Sequence, residues 1–263
     1  MGFLKSKKLP VFFESHITEE VTYEVDQLKV KGMLMTPQDA VNRIVVYLRG
    51  GKGQIGKVRP GRLAQFSNQH TLVFAPYYRG SNGSEGRDAF CGDDLNDVIV
   101  GINILKDIYP NVPIHMIGFS RGGIQGLLTY QQIGVTSYII WGGVTDVLMM
   151  YDERIDLRSM LRRMIGHPKK QLANYEQRNA LKNIHQDSPP ILIVHGMEDK
   201  QVNINMAKHL EQHLIKEGVE YQTIYKEGEG HVFRPNIEKD TVHKIQMWMD
   251  QCEKYKNGSG TEI

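Results

Sequence analysis

Gly118-Phe119-Ser120-Arg121-Gly122-Gly123 decides how this 263-residue chain is read. The apolar run Ile114-His115-Met116-Ile117 leads in, and a helix-competent run from Ile124 to Tyr130 leads out. A serine between small residues at a strand-to-helix turn projects its hydroxyl, because glycines let the turn close tightly. The pattern is short, so its weight comes from two further residues. Val194-His195-Gly196-Met197-Glu198-Asp199 sets an acid just past the buried-strand run Ile191-Leu192-Ile193-Val194. Gly228-Glu229-Gly230-His231 sets a histidine in a glycine-flexed loop after the run Tyr221 to Tyr225. A serine hydroxyl is a poor nucleophile at neutral pH and needs an imidazole to take its proton. The imidazole needs a carboxylate to fix its tautomer and stabilise its charged form. The three types occur in the order Ser120, Asp199, His231, each after an expected strand.

Working outward, strands are expected near Thr22–Asp26, Leu28–Met35, Ile44–Leu48, Thr71–Ala75 and Ser137–Trp141. A short helix is expected over Pro60–Gln69. Leu95, Val98, Ile99, Ile102 and Leu105 fall at helical spacing behind Asp94 as N-cap. Met206, Leu210 and Leu214 make an i, i+4, i+8 stripe that Gly218 ends, and Val242, Ile245, Trp248 and Met249 face the last helix inward. Strands that are apolar on both faces and alternate with helices imply an α/β fold with a mainly parallel central sheet covered on both sides. Functional loops then gather at the carboxyl ends of the strands. Residues 145–187 break the alternation. They carry Met150, Leu157, Met160, Leu161 and Met164 at helical spacing and are too long for a bare loop, so a small helical cap insertion is expected there. The expected division is a frayed basic arm (1–20), a core (21–144 and 188–253), the cap (145–187) and a disordered tail (254–263).

A net charge of +2 argues against nucleic acid as the main partner. Cys91 and Cys252 lie far apart without metal-ligand spacing and read as reduced thiols of a cytoplasmic protein. No run approaches the roughly 20 apolar residues of a membrane span, so no stable membrane insertion is expected. The N-terminus lacks a secretory core, and its fit to the M-G-x-x-x-S acylation pattern reads as coincidence. Asp93, Asp94 and Asp97 read as helix-start acids rather than cation ligands. No metal and no cofactor is expected.

Five blocks then carry a resemblance: Arg49-Gly50-Gly51, Tyr78-Arg79-Gly80-Ser81-Asn82-Gly83, the serine turn, His195-Gly196-Met197-Glu198-Asp199-Lys200-Gln201-Val202, and Gly228-Glu229-Gly230-His231-Val232-Phe233. Over residues 20–250 the chain resembles an α/β-hydrolase, specifically the peptidase S9-type catalytic domain of the prolyl oligopeptidase-like group. The resemblance implies Ser120 as nucleophile, Asp199 as acid and His231 as base. The sequence departs from that group in lacking its β-propeller and any obvious acidic pair for a peptide amino terminus. Arg49 stands where relatives have His or Tyr, and Tyr78 where Asp is common.

Within that frame the Arg121 backbone N–H, with Gly50 or Gly51, is the expected oxyanion hole. Glu198 and Asp146 compete with Asp199; the first is a methylene longer and out of register with its block, the second follows the strand after the elbow. His209, His213 and His243 sit in helical patterns, and His195 is expected to pack beneath its loop. Tyr78, Met150, Arg154 and Arg158 are the candidate substrate pocket. Arg154, Arg158 and Arg162 recur every four residues, either to receive an anion or, the favoured reading, as a solvated helix face. Met149, Met150, Met160 and Met164 either line an acyl pocket or, as favoured, pack the cap on the core. The expected function is a carboxylesterase-like serine hydrolase acting on small acyl esters through an acyl-enzyme. The alternative is a serine peptidase acting on short or acylated peptides, and a third reading is a non-catalytic binding protein on a hydrolase fold.

Overall fold

The computed structural model describes residues 2–256 apart from Phe12 and Gln54. Among the described residues nine strands form one sheet: β1 (Lys5–Lys8), β2 (His16–Val25), β3 (Leu28–Pro37), β4 (Arg43–Leu48), β5 (Thr71–Pro76), β6 (Ile114–Phe119), β7 (Ser137–Trp141), β8 (Ile191–Gly196) and β9 (Tyr221–Lys226). Their order is β1-β2-β3-β5-β4-β6-β7-β8-β9. The first four in that order pair antiparallel, and β5 through β9 pair parallel. From β4 the chain steps one way to β5 and returns on the other side as β6. This reversal opens a crevice at the carboxyl ends of β4 and β6, where an open α/β sheet receives ligands.

The strands alternate faces as their residues dictate. Ile44, Val46 and Leu48 of β4 enter one core cluster, Val45 and Tyr47 the opposite one. The first cluster takes the apolar sides of α2 (Leu95–Ile108), α3 (Arg121–Leu127) and α8 (Ile204–Glu217). The second takes α1 (Pro60–Ala64) and α9 (Pro235–Lys256). After α3 comes the single turn α4 (Tyr130–Ile133). Gly218 ends α8 in the left-handed region at φ 68°, as its position predicts. Between β7 and β8 lie α5 (Val147–Glu153), a 3₁₀ turn, α6 (Arg158–Met164), α7 (Leu172–Glu176) and a second 3₁₀ turn.

Four expectations are corrected. The basic arm is not frayed over Lys5–Lys8: these residues pair with β2 as an exposed edge strand. Of the three arginines spaced by four, only Arg158 and Arg162 share a helix, because Arg154 leaves helical geometry at φ −110° and Arg158 begins the next one. Asp94 stands at the N-cap of α2 but makes no side-chain cap, and both it and Asp97 are buried against arginines. The last helix runs beyond 253 to Lys256, and the rest of the tail expected at 254–263 lies outside the described residues. No helix among the described residues is long and apolar enough to cross a membrane.

The end of α9 is fixed by a buried polar cluster. Arg43 Nε and His115 Nε2 donate to Glu253 Oε1 at 2.6 and 2.9 Å, and His115 Nδ1 meets Ser137 Oγ at 2.8 Å. Burial raises the Glu253 carboxyl, but the hydrogen bonds from His115 and Arg43 prevail and bring it from 4.5 to about 2. A carboxyl whose pKa is lower folded than unfolded adds stability above its unfolded pKa and loses it as pH falls toward the folded one. The stability advantage of wild type over Glu253→Gln in urea is therefore expected to shrink between about pH 5 and about pH 3. An advantage that stays constant over that interval contradicts this assignment.

Candidate active site

Ser120 occupies the turn between β6 and α3 with φ 56° and ψ −122°, a conformation rarely adopted by residues with a Cβ. The backbone is held from three sides: Ser120 N–H donates to the Trp141 carbonyl, and the Ser120 carbonyl accepts from Gly123 and Val144. The turn needs glycine at 122, where a Cβ would stand 2.0 Å from the Leu48 carbonyl oxygen. The hydroxyl is half-buried at the carboxyl end of β6 and, among the described residues, has no protein hydrogen-bond partner. It lines the same cleft as His231. Contacts of this kind are often long without substrate and tighten when it binds.

Behind the cleft, His231 Nδ1 donates to Asp199 Oδ2 at 2.7 Å, and both residues are buried. Asp199 Oδ1 accepts the backbone N–H groups of Gln201 and Val202 at 2.7 and 2.9 Å. Burial raises the Asp199 carboxyl, but the His231 hydrogen bond and the two backbone donors prevail and hold it below its ordinary value. An ionised carboxylate only accepts, so Nδ1 carries a proton, and in the neutral ring that tautomer puts the lone pair on Nε2. Phe119 packs against the imidazole with ring centroids 4.9 Å apart. The rival acids are elsewhere. Asp146 caps α5 through the N–H groups of Leu148 and Met149 and accepts from Asn179, while Glu198 is exposed. His195 is buried and donates to the Val202 carbonyl at 2.9 Å, as expected of a histidine beneath the loop.

Across the crevice, Gly50 approaches so closely that a Cβ there would lie 2.7 Å from Ser120 Cβ. Among the described residues neither the Gly50 nor the Arg121 backbone N–H reaches a protein acceptor. Two arginines shape this loop. The Arg49 guanidinium turns inward and donates to the carbonyls of Gly50, Gly53, Ile55 and Tyr77 and to Ser81 Oγ, at 2.8–3.3 Å. Because a trans peptide points C=O and N–H oppositely, holding the Gly50 carbonyl turns the Gly51 N–H away from that guanidinium. The Arg121 side chain forms a two-pronged pair with Asp88 (2.7 and 2.8 Å), a second with Asp94 (2.7 Å), and donates to the Gly51 carbonyl at 3.2 Å. This buried network is what the sequence reading missed; residues 27 and 33 positions away from Arg121 carry no local signal of it.

The cleft has a volume of about 690 Å³ and holds Gly50, Gly51, Ser120, Arg121 and His231 together. Met150 and Arg154 line it. Two expected pocket residues do not. Tyr78 is fully buried with its ring under the guanidiniums of Arg49 and Arg121, and its hydroxyl donates to the Arg49 carbonyl, so it supports the loop from below. Arg158 donates to the Tyr151 and Asp152 carbonyls at the end of α5 and borders a separate groove. Also missed were Tyr47 and the basic segment from Lys52 to Arg62, which form much of the wall. The signal was available as a run of cations directly after the paired glycines. Among the described residues no group of three or more His, Cys, Asp or Glu could hold a metal ion. A projecting hydroxyl, a carboxylate-backed imidazole and two free N–H groups together make a set suited to acyl transfer.

The model of the prolyl oligopeptidase family matches residues 61–255. The uncharacterized peptidase YtmA of Bacillus subtilis (strain 168) is 39% identical over 236 residues, 87% of this chain and 91% of that protein. Among solved structures, the Pyrococcus horikoshii acylaminoacyl peptidase superposes with a TM-score of 0.76 at 17% identity over 92% of this chain, which spans only 42% of that one's length. Acetyl xylan esterase 1 from Thermoanaerobacterium sp. JW/SL YS485 superposes at 0.66 and 12% identity, over 93% of this chain and 87% of that one. These two likenesses bear on fold alone, and the fold is that of the α/β-hydrolases. The chain belongs to the prolyl oligopeptidase family and is a peptidase-like serine hydrolase.

Proposed function

We propose that this protein is a serine peptidase that hydrolyses short or acylated peptides through an acyl-enzyme intermediate. The observation that carries the proposal is the 2.7 Å Asp199–His231 hydrogen bond, which leaves Nε2 free in the cleft that holds Ser120. The family, and a relative of nearly the same length that is named a peptidase, favour amides over the ester preference expected from sequence.

In this reading His231 Nε2 takes the proton of Ser120 as the hydroxyl oxygen attacks the carbonyl carbon. The oxyanion that forms accepts from the Arg121 N–H and the Gly50 or Gly51 N–H. Removing one such donor commonly costs about 2.7–4 kcal/mol of transition-state stabilisation. The imidazolium, steadied by Asp199, then protonates the departing amine; water repeats the sequence and releases the acid. We further propose that residues 145–187 act as a cap, since Met150, Arg154, Leu157 and Met160 from this insert line the cleft. A cytoplasmic location is proposed with it, on the two buried, unbridged cysteines.

An esterase is the second reading, since a neighbour of the same fold that matches over nearly whole chains is named an acetyl xylan esterase. Ester turnover follows from the same machinery, because an alkoxide or phenoxide leaves more easily than an amine. The test is N-acetyl-dipeptide p-nitroanilides beside 4-nitrophenyl esters of graded acyl length. The peptidase reading expects amide hydrolysis that disappears in Ser120→Ala. Ester turnover with no Ser120-dependent amide turnover transfers the assignment to an esterase.

A further inference from the structure

We infer that the cleft selects acyl substrates bearing a carboxylate near the bond that is cleaved, as a free C-terminus or an acidic group. This rests on the peptidase reading and deepens it. Besides Arg121, whose guanidinium is held by Asp88 and Asp94, the wall of the cleft contributes five cations, Lys52, Lys57, Arg59, Arg62 and Arg154, and among the described residues no carboxylate lines it. The whole chain has a net charge of only +2, so this excess of one sign is local.

The five cations are not equivalent. Arg62 pairs with Glu238, and Arg154 pairs with Asp156. Lys52, Lys57 and Arg59 have no acidic partner among the described residues, although all three sit on the short segment that follows Gly50 and Gly51. Lys57 also borders a shallow groove with Glu20, but the Glu20 carboxylate is paired with Lys31 at 2.8 Å. Three unpaired positive groups on one short segment repel one another, and an anion bound among them relieves that repulsion. Beside them the cleft presents Phe119, Met150, Leu157 and Met160, a surface for an apolar side chain or acyl group. A free peptide ammonium meets no counter-charge in this cleft, whereas a blocked amino terminus with an acid close by fits both its charge and its apolar wall. A cleft lined by one sign of charge concentrates the opposite ion and raises association about 10- to 1,000-fold.

The test compares matched pairs differing by one carboxylate. One arm uses N-succinyl- against N-acetyl-Ala-Ala p-nitroanilide; the other uses N-acetyl-Ala-Phe with a free against an amidated C-terminus. In at least one arm the acid is expected to exceed its neutral partner at least about tenfold in kcat/KM, mainly through KM. The gap is expected to close by about 0.5 M NaCl. It should fall toward unity in Lys52→Ala/Lys57→Ala/Arg59→Ala and to fall measurably in Lys57→Glu alone. The ratio is taken within one preparation, so partial unfolding lowers both rates and leaves it unchanged. Ratios near unity in both arms, a ratio indifferent to salt, or one preserved in the triple variant overturns the inference. Wild-type hydrolysis of 4-nitrophenyl acetate reports separately on the hydrolase. If the amides are silent, the first pair is read as its 4-nitrophenyl esters and the second as N-acetyl-Ala esterified to 3-phenyllactate with a free or an amidated carboxyl, so loss of the peptidase reading leaves the carboxylate selection still decided.

Discussion

Ser120→Ala is expected to lower kcat/KM toward 4-nitrophenyl esters by at least about a thousandfold. The substitution removes one oxygen from a half-buried position and leaves in place the Trp141, Gly123 and Val144 backbone bonds that hold the turn. The φ of 56° strains alanine as it strains serine, so folding is expected to change little while the nucleophile is lost. Residual activity from the oxyanion hole and substrate binding is expected to remain above the rate in water. Turnover equal to wild type would remove Ser120 from the chemistry and revive the reading of this chain as a binding protein on a hydrolase fold.

Asp199→Asn is expected to lower kcat by about 10⁴ with the fold intact. Asparagine keeps an oxygen for the Gln201 and Val202 N–H groups, so the loop remains tied. Its amide nitrogen, however, replaces the oxygen that accepts from His231 Nδ1. A donor facing Nδ1 drives the ring proton to Nε2, which then has no lone pair with which to take the Ser120 proton. The check is kcat measured beside the far-UV circular dichroism spectrum. A native spectrum with kcat within about tenfold of wild type contradicts the assignment of the acid, since the effect of a reversed tautomer is far larger.

What was legible in the sequence is what chemistry or burial forces upon it. The turn at Ser120 is readable because only glycine fits beside Leu48, and β4 is readable because it is apolar on both faces. Asp199 and His231 stand out because each sits in a short glycine-containing loop after a strand, the fully buried β8 for the first and the half-buried edge strand β9 for the second. The Lys5–Lys8 strand was illegible for the opposite reason. All four residues are exposed, the strand is held by its backbone and by one surface hydrogen bond from Ser6 Oγ to Glu19, and lysines are common on edges that must not pair further. Tyr78 and Arg158 were placed in the pocket by chain position, yet which way a side chain turns depends on partners distant in sequence. Arg49 and Arg121 trap the first beneath the loop, and the end of α5 captures the second. The choice between esters and amides is not legible, because both hydrolyses call for the same nucleophile, base and acid, so residue type alone does not separate them; the family, not the residues, favours amides.

In this mechanism one hydroxyl, at Ser120, is activated by His231 within the cleft. A fluorophosphonate followed by peptide mapping tests it most directly. A single adduct is expected on the peptide containing Ser120, absent from Ser120→Ala and slowed sharply in His231→Ala. An adduct on another residue, or labelling at the wild-type rate without His231, would contradict it.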